Sequence, residues 1–521
     1  MIDKLFLYGN TIRNMKPSQI VARMKKKLGL CCTLGVRSAP MPKQIAAFQT
    51  VRELDFDPVF LDRFDVDEIL SGKVTFLHRS EYIDWQGRWH FANQSALWNF
   101  NLHYFEFLMP LVSAYQSTHE KKYLQAIQDS ISGWIDQNPK NAGGAGWAAY
   151  TISLRAVNWL SCWTYLSDEF NPQFQCKMRT SMYEQYAFLG CHLEKDLLTN
   201  HYFENLKALI LFAIVFQDER MLRKVLTAFK AQCREQILPD GMHFELSPMY
   251  HKLMLEAVMR VAIALRAVQK KDLEVEGYIQ PMLDVAYTFE NGLERIPLFN
   301  DGGNNVAKSL SSLMETARLH FGLKPEYKKQ LPDSGYYFFD KDDWRLIVDA
   351  GAPGPVYNPG HAHCDAMSFE LFKAGKPVLV NCGTYAYQCK ERSFFRSTAA
   401  HNTVMVNDTE QSQCWGAFRM AKQSKVNVVS VSEDSIVIEL IDQRGQLIKR
   451  TIQLGKALKI MDESSGNKLT ALLHATREMD VTYNGVSQKI SQQYASEYGE
   501  MASIDVVMYE GTGRISVEIS L

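Results

Sequence analysis

The group most able to do chemistry in this chain comprises two histidines and an aspartate at alternate positions: His361, His363 and Asp365. If the segment is a strand, all three side chains project from one face, because side chains alternate across a strand. Imidazole and carboxylate groups bind divalent metals and carry protons near neutral pH. The alternative is a hydrogen-bonded cluster that stabilises a domain seam, since buried polar groups need partners. The apolar run that follows, within residues 375–383, predicts a buried strand.

Two further segments place reactive side chains at predicted helix starts. Asn200 and His201 open a helix, where free backbone N–H groups and the helix dipole favour an anion. The alternative for Asn200 is an ordinary helix cap. Tyr250 follows Pro248 at the start of another helix, and a proline there fixes the entry of the chain, which predicts a rigidly aimed phenol. The alternative is a half-buried packing tyrosine, in a chain that contains 23 tyrosines.

The elements that must position these groups change type once along the chain. From about residue 96 to residue 321, apolar residues recur at intervals of three and four, which predicts amphipathic helices. The connections between them are short, so neighbouring helices should pack as antiparallel hairpins. The predicted helices span residues 102–115, 122–135, 152–166, 177–193, 202–216, 221–236, 251–268 and 278–293.

Beyond about residue 336 the apolar pattern has period two, which predicts antiparallel strands stacked as a sandwich. Turn-forming residues separate the predicted strands at 432–434, 484–485 and 511–513. Prolines and a glycine between residues 324 and 335 indicate a domain boundary. We therefore expect a region of mixed or irregular structure at 1–95, a helical domain at 96–330 and a sheet domain at 336–521.

Composition argues against several classes of partner. The 521 residues include 57 Lys and Arg against 58 Asp and Glu, so the formal net charge of −1 gives no global attraction for nucleic acid or an anionic membrane. No apolar run is long enough to span a bilayer, and the N-terminus lacks a signal-peptide pattern. We expect a cytoplasmic protein, or a periplasmic one if a signal has been removed. The ten scattered cysteines argue against a disulfide scaffold or a zinc ribbon. The oligomeric state stays open.

Five motifs occur in order along the chain: Asn-His at 200–201, Glu-Leu-Ser-Pro-Met-Tyr-His at 245–251, His-Ala-His-Cys-Asp at 361–365, Gly-Thr-Tyr-Ala-Tyr at 383–387 and Arg-Ser-Thr-Ala-Ala-His-Asn-Thr at 396–403. Together they resemble the heparinase II/III family of polysaccharide lyases over most of the chain. Segments 11–20 and 98–105 look like those of the subgroup found in capsule and O-antigen loci. The resemblance implies an incomplete (α/α) toroid followed by an antiparallel β-sandwich, with an anionic polysaccharide or oligosaccharide in the cleft between them.

Cleavage of a uronic-acid polymer by β-elimination sets three chemical tasks. The enzyme must neutralise the sugar carboxylate, take the C5 proton and protonate the leaving oxygen. Amide and imidazole donors suit the first task, and tyrosine or histidine suits the other two. The resemblance implies that Asn200 neutralises the carboxylate and that His201 is a neighbouring proton carrier.

The resemblance also implies roles for residues other than Asn200 and His201. It implies that His361 faces the substrate and that Tyr387 matches a second functional tyrosine, for which packing in a strand is the alternative. Tyr250 is the expected proton carrier. Its phenol, with an ordinary pKa near 10, needs a cationic or imidazole neighbour to act as a base at neutral pH.

The family pattern further implies one divalent metal, zinc, held by His363 and His401 in the sheet domain. A carboxylate normally begins the segment that starts here with Asn381, and a neutral amide is a weaker ligand for a transition metal. Asp365 is the candidate to complete the ligand set, or else to orient an imidazole. The substitution at Asn381 therefore argues against full metal occupancy.

Basic and aromatic side chains are available to bind a polyanionic glycan. The predicted contacts are Arg155, Arg396, Arg419, Trp147 and Trp415. Each of these residue types is also common in structural roles. Two other functions stay open: a glycan-processing or biosynthetic protein that keeps the fold but has altered or lost elimination chemistry, and a non-catalytic glycan-binding protein. The joint presence of Asn200, Tyr250 and His361 favours an enzyme, because a binding module needs neither a base nor an acid.

Overall fold

A helical region precedes a sheet domain in the computed structural model, which describes residues 2–140 and 142–521. The helices before the sheet are α1 (Ile2–Asn14), α2 (Pro17–Lys27), α3 (Arg52–Asp55), α4 (Pro58–Leu61), α5 (Val66–Leu70), α6 (Ala96–Tyr104), α7 (Leu108–Thr118), α8 (Lys121–Gln137), α9 (Ala149–Leu166), α10 (Pro172–Leu189), α11 (Thr199–Val215), α12 (Glu219–Gln236), α13 (Pro248–Ala267), α14 (Leu273–Gly277), α15 (Ile279–Glu290) and α16 (Leu310–Phe321). A short helix, α17 (Arg392–Phe395), lies within the sheet domain.

The helices pack in an inner and an outer layer, and their sequences show which layer each one joins. Helix α11 is buried along nearly its whole length, so its apolar residues surround the axis. Helix α12 buries only one stripe, which includes Met221, Val225 and Phe229 at intervals of four, and it packs on α11 from outside. Helix α13 is also an inner helix and begins with Pro248 after the cap Ser247, whose hydroxyl accepts a hydrogen bond from the Tyr250 amide.

The predicted helices agree with the structure except at one place. The segment 102–115 is two helices, α6 and α7, because the chain turns at Phe105, which adopts a left-handed conformation with φ of 63°. Residues 2–95 contain α1 to α5 and a hairpin of β1 (Lys73–Phe76) and β2 (Arg79–Tyr82), with no regular element between Leu28 and Val51. No helix among the described residues is long and apolar enough to cross a membrane.

One curled antiparallel sheet forms most of the C-terminal domain and begins at residue 330, six residues before the predicted start. Its strands are β3 (Gln330–Leu331), β4 (Tyr336–Lys341), β5 (Trp344–Asp349), β6 (Phe369–Lys373), β7 (Lys376–Leu379), β8 (Val404–Val406), β11 (Lys425–Val431), β12 (Ser435–Ile441), β13 (Leu447–Leu454), β14 (Ala457–Ala475), β15 (Val481–Asn484), β16 (Val486–Tyr494) and β17 (Ala502–Ser520). A separate two-stranded ribbon consists of β9 (Cys414–Trp415) and β10 (Arg419–Met420).

Two strands of 19 residues, β14 and β17, pair with each other and run through both layers of the sandwich. Strand β14 pairs with β13 in its first half and with β8 and β7 in its second half, so the sheet curls around it. The register of the β14–β17 pair shifts near Gly466, and Gly513 lies close by with a positive φ of 77°. The predicted turn at 511–513 is therefore wrong: those residues lie inside β17. The turn at 432–434 is confirmed, because β11 and β12 pair across it. The turn predicted at 484–485 is wrong, because β15 and β16 run in the same direction along β17 and are separated only by Gly485.

The two domains meet across an apolar interface. Phe338 and Ile347 of the sheet pack with Met242, Val285 and Phe289 of the helical region. The first helix also reaches the sheet domain. In α1, the Asn14 side chain donates to the carbonyl of Ala421, and Trp415 donates its indole N–H to the Thr11 hydroxyl at 3.1 Å. Residues from both ends of the chain thus hold the domains together around the cleft.

Candidate active site

A cavity of about 1050 Å³ lies where the inner helices meet the sheet domain. Its wall includes all five side chains predicted to do chemistry, and they come from four different segments. Asn200 and His201 begin α11, Tyr250 lies in the first turn of α13, and His361 and Tyr387 belong to loops of the sheet domain. The volume is at the upper end of the range for pockets that enclose a small ligand. The fold therefore brings the predicted residues into one cleft.

Tyr250 is the centre of this group. Its ring stacks on the imidazole of His361, with ring centroids 4.0 Å apart and planes inclined by 11°. Its hydroxyl lies 2.7 Å from the hydroxyl of Tyr387, which in turn lies 2.8 Å from that of Tyr498. The three phenols form a hydrogen-bonded chain along the cavity wall. Burial raises the pKa of Tyr250 well above 10, so its phenol keeps its proton at neutral pH and is a proton donor.

Glu245 orients His361 from the segment that leads into α13. The Nδ1 atom of His361 lies 3.2 Å from a carboxylate oxygen of Glu245. Burial opposes ionisation of Glu245, but His361 outweighs it and holds the pKa of this carboxyl at about 2. An ionised carboxylate accepts the Nδ1–H proton, which leaves the Nε2 lone pair of His361 free to accept another proton. His361 is therefore arranged as a base.

Asn200 and His201 form the other side of the site. The Oδ1 atom of Asn200 accepts a hydrogen bond from the Thr199 hydroxyl, and no acceptor among the described residues takes one from its Nδ2 amide. The Nδ1 atom of His201 lies 3.1 Å from Glu194, and its ring packs on Tyr150. Burial would lower the pKa of His201, but Glu194 overcomes this and raises it above its ordinary value. An amide donor and an imidazole whose pKa is raised thus face the cavity together.

The run from His361 to Asp365 is a loop that precedes β6, so the predicted strand over these residues is wrong, while the strand predicted after it is confirmed as β7. Three prolines between residues 353 and 359 disfavour a strand there. The three side chains consequently do not share one face. His361 points into the cavity, whereas His363 and Asp365 are buried behind it.

His363 belongs to a second, fully buried cluster. Its Nε2 atom lies 2.9 Å from Asp301, whose carboxylate also pairs with Arg392. Its Nδ1 atom lies 3.2 Å from Nε2 of His401, and a carboxylate oxygen of Asp365 is close to both imidazoles. Two imidazole nitrogens at this separation fit two ligands of one tetrahedral zinc ion, whose Zn–N bonds are about 2.0–2.1 Å. His363, His401 and Asp365 are therefore the residues that would hold such an ion, which would cross-link two loops.

Two family models match this chain in succession. The heparinase II/III N-terminus model matches residues 59–328, and the heparinase II/III-like C-terminal model matches residues 323–484. The chain belongs to the heparinase II/III family. A crystal structure of heparinase III aligns over 96% of this chain and 91% of its own, at 15% identity with a TM-score of 0.71, which shows the shared fold of helical toroid and β-sandwich.

Two similar proteins are named heparin-sulfate lyases. A heparin-sulfate lyase from Pedobacter heparinus is 23% identical over 364 residues, which are 63% of this chain and 54% of that protein. A heparin-sulfate lyase from Bacteroides thetaiotaomicron is 20% identical over 421 residues, 70% of this chain and 60% of that protein. The alignments thus span little more than half the length of these relatives.

The position where the heparinase II/III pattern has a carboxylate is filled differently here. Asn381 uses its Oδ1 atom to accept the backbone N–H of Asn402 at 3.2 Å, and its buried Nδ2 atom has no partner among the described residues. This one hydrogen bond uses one of the two lone pairs of the Oδ1 atom. Asn381 as a metal ligand stays a prediction, while His363, His401 and Asp365 are the predicted imidazole and carboxylate donors that converge.

Four of the five predicted glycan contacts lie away from the cavity. Arg155 is buried and donates to Gln185, His103 and Gly146. Arg396 is buried and donates to backbone carbonyls around the loop of His361. Trp147 donates to the carbonyl of Asn138, and Trp415 packs on α1. These four residues are structural, because their donors are already satisfied within the protein. Arg419 alone lies on the cavity wall.

The structure adds residues that sequence reasoning missed. Glu245 and Glu194 hold His361 and His201, Tyr498 extends the chain of phenols, and Tyr150 packs on His201. Glu245 is the first residue of the Glu-Leu-Ser-Pro-Met-Tyr-His motif at 245–251, so the sequence alone could have marked it as a candidate. Tyr498 lies more than a hundred residues from Tyr387 in a loop of the sheet domain, and no local pattern marks it.

Proposed function

We propose that this chain is a polysaccharide lyase that cleaves a uronic-acid-containing anionic glycan by β-elimination. The observation that supports this best is the grouping of Asn200, His201, Tyr250 and His361 around one cavity between the two domains. These residues supply a carboxylate binder, a base and an acid, which are the three requirements of the reaction. The heparin-sulfate lyases among its relatives favour a glycosaminoglycan as the substrate class.

The first step is neutralisation of the sugar carboxylate. The free Nδ2 amide of Asn200 and the imidazolium of His201, which Glu194 keeps protonated, bind the two carboxylate oxygens. With its charge balanced, the carboxylate can accept electron density from C5, and the C5 proton becomes more acidic. These donors matter most when the carbanion forms, because negative charge on the carboxylate is then greatest.

Proton transfer follows at the stacked pair of His361 and Tyr250. The Nε2 atom of His361 takes the C5 proton, and the electron pair forms the C4–C5 double bond as the C4–O bond breaks. Tyr250 gives its phenolic proton to the leaving glycosidic oxygen, because burial holds the pKa of Tyr250 well above neutral pH. Tyr387 and Tyr498 then offer a hydrogen-bonded route for a proton back to Tyr250. The products are an unsaturated uronate and a free hydroxyl group.

The decisive experiment is digestion of a panel of uronate polymers while the ultraviolet absorbance of the unsaturated product is followed. We expect at least one glycosaminoglycan to give the signal, and the Asn200→Ala variant to lower kcat by about 10²–10³, the usual cost of one transition-state donor. Asn158→Ala is the matched control. Asn158 also lies on the cavity wall, but its amide already donates to the carbonyl of Tyr104. Absence of the absorbance with every polymer would contradict the proposal.

The origin of the natural glycan is a finer part of the proposal. The segments at 11–20 and 98–105 favour a polymer of a capsule or O-antigen locus. A non-catalytic binding protein is not favoured, because binding alone gives no reason for Glu245 to leave a basic nitrogen of His361 facing the cavity.

A further inference from the structure

The cavity extends beyond the proposed reaction centre along the two inner helices. Helices α11 and α13 both begin at the centre, and each presents a stripe of side chains to the cavity as it runs inward. On α13 the stripe runs from Tyr250 through Leu253 and Glu256 to Arg260, an axial distance of about 15 Å at the 1.5 Å rise of an α-helix. On α11 it runs from Asn200 to Lys207. The far end of these stripes forms a chamber that the reaction itself does not use.

Most charges in this far chamber are paired with each other. Its ion pairs are Arg63 with Glu106, Lys207 with Glu204, and Arg260 with both Asp55 and Glu256. Such pairs are already satisfied and have little need of a ligand. They also fix the wall of the chamber, because breaking a buried pair is costly.

Lys308 is the exception in the chamber. Its side chain is 92% buried, since only 8% of the residue is exposed, and it lies on the cavity wall. Its Nζ atom lies over the ring of Phe60, 3.2 Å from the centroid, and among the described residues it neither donates a hydrogen bond nor forms an ion pair. The aromatic face stabilises the ammonium group but satisfies none of its three donors.

We propose that Lys308 forms an anion-binding subsite for a sulfate or carboxylate group on a sugar unit distant from the bond that is cleaved. This inference rests on the proposed function, because it takes the ligand to be an acidic glycan. The ammonium of Lys308 opens to the cavity with free donors, and an anion bound there supplies both charge and acceptors. The loop from Asp301 to Lys308 limits the distance between Lys308 and Asp301, since seven residues span at most about 25 Å. Asp301 itself is held by His363 and Arg392.

The surroundings of Lys308 should make its affinity for an anion depend on pH. Burial lowers the pKa of Lys308 to about 8, and the nearby carboxylate of Glu256 opposes this shift. Arg260 of the same helix lowers it further, while Glu106 and Arg63, from the segments packed opposite, act in opposite directions. The ammonium is therefore charged at pH 7 and loses its proton as the pH rises through about 8 to 9.

The test measures binding separately from cleavage. Calorimetry would use the Tyr250→Phe background and an oligosaccharide of alternating uronic acid and sulfated glucosamine. We expect Lys308→Gln to weaken the affinity about tenfold or more, the size of one lost hydrogen bond to a charged group. Lys308→Arg should stay within about twofold of the parent. Lys324→Gln is the matched control, because Lys324 is exposed and lies outside the cavity wall.

Two modified oligosaccharides distinguish the sources of the anion. If the effect of Lys308→Gln disappears with a desulfated sugar, the ligand group is a sulfate, and if it disappears with a carboxyl-reduced sugar, the group is a carboxylate. In the parent, the affinity should fall between pH 7 and pH 9, whereas in Lys308→Arg it should not. The proposal is overturned if Lys308→Gln binds as tightly as the parent, if its effect persists with both modified sugars, or if no anionic oligosaccharide binds. Cleavage is read separately by the absorbance of the wild-type products, so a chain that binds but does not cleave would contradict only the proposed lyase function.

Discussion

His361 and His363 lie two positions apart in one loop, yet their surroundings differ completely. The imidazole of His361 has one nitrogen held by Glu245 and the other free towards the cavity. Both nitrogens of His363 are engaged by Asp301 and His401, and no part of the side chain is exposed. The comparison shows that a free hydrogen-bonding position, rather than residue type or sequence spacing, separates a reactive histidine from a structural one in this molecule.

Substitution of these two histidines should give the largest and most opposite effects. We expect His361→Ala to lower kcat by about 10²–10⁴, the usual contribution of a positioned base. His363→Ala should instead lower the free energy of unfolding by on the order of 3 kcal/mol, because it removes one partner of a buried charged network. The measurements are kcat per folded molecule and urea denaturation for each variant. Equal kinetic losses in both variants would remove the distinction between the two clusters.

Tyr250 offers the next test on the reactive side. Tyr250→Phe removes one oxygen and should lower turnover by roughly a hundredfold or more, since the leaving oxygen loses its acid. Its stability should change little, because the Tyr387 hydroxyl keeps its hydrogen bond to Tyr498.

Tyr186→Phe is the control for that substitution. Tyr186 is also buried and donates to Asp218, but it lies outside the cavity wall. This variant should lose stability and keep its turnover. If Tyr250→Phe keeps the wild-type turnover, Tyr250 is not the acid, and Tyr387 or His201 becomes the candidate.

The sequence predicted the elements and the convergence of the candidate residues on one cavity better than it predicted the glycan contacts. Periodicity located the helices because inner and outer helices of a toroid bury continuous stripes. It failed at Phe105, since a left-handed aromatic residue has no local signature. Arg155 and Trp147 have the side chains of glycan binders, but which way a side chain faces depends on residues distant in sequence. Glu245 pairs with His361, and Lys308 has no hydrogen-bond or ion-pair partner among the described residues. Both facts become visible only in the folded structure, where segments distant in sequence come together.

The pH dependence of turnover tests whether His201 must be protonated for activity. Burial would lower the pKa of His201, but Glu194 raises it above its ordinary value, with smaller contributions from Glu245 and Asp196. Activity should be present while His201 is protonated and should fall as the pH rises through its raised pKa. Glu194→Gln removes the carboxylate, lowers this pKa and should move the alkaline limb of the kcat profile to lower pH. Glu169→Gln, which alters only a partner of Tyr115, should leave the profile unchanged.

Added zinc should have the smallest effect of these tests, and it should act on the buried cluster of His363, His401 and Asp365. We expect added zinc to raise the Tm by a few degrees, because an ion at one hundred times its Kd contributes about 2.7 kcal/mol. His363→Ala should abolish the rise, and Asn381→Asp should increase occupancy by adding a carboxylate. His78→Ala is the control, since it alters the exposed group with Glu497 and Glu500 at the rim of the cavity. An unchanged zinc content in Asn381→Asp would exclude that position as a ligand.

The contacts between α1 and the sheet domain constrain how the cleft can move. Asn14 and Thr11 bind residues at Ala421 and Trp415, while Lys16, just after α1, binds Glu235 of the helical region. The N-terminal segment therefore fastens one edge of the cleft to both domains. A motion that admits a polymer while these contacts persist keeps this edge closed, so the cleft opens elsewhere along its rim. A long chain would then enter sideways through the open part of the rim, and the two products would leave the same way. Neither would need to pass lengthwise through an end of the cleft.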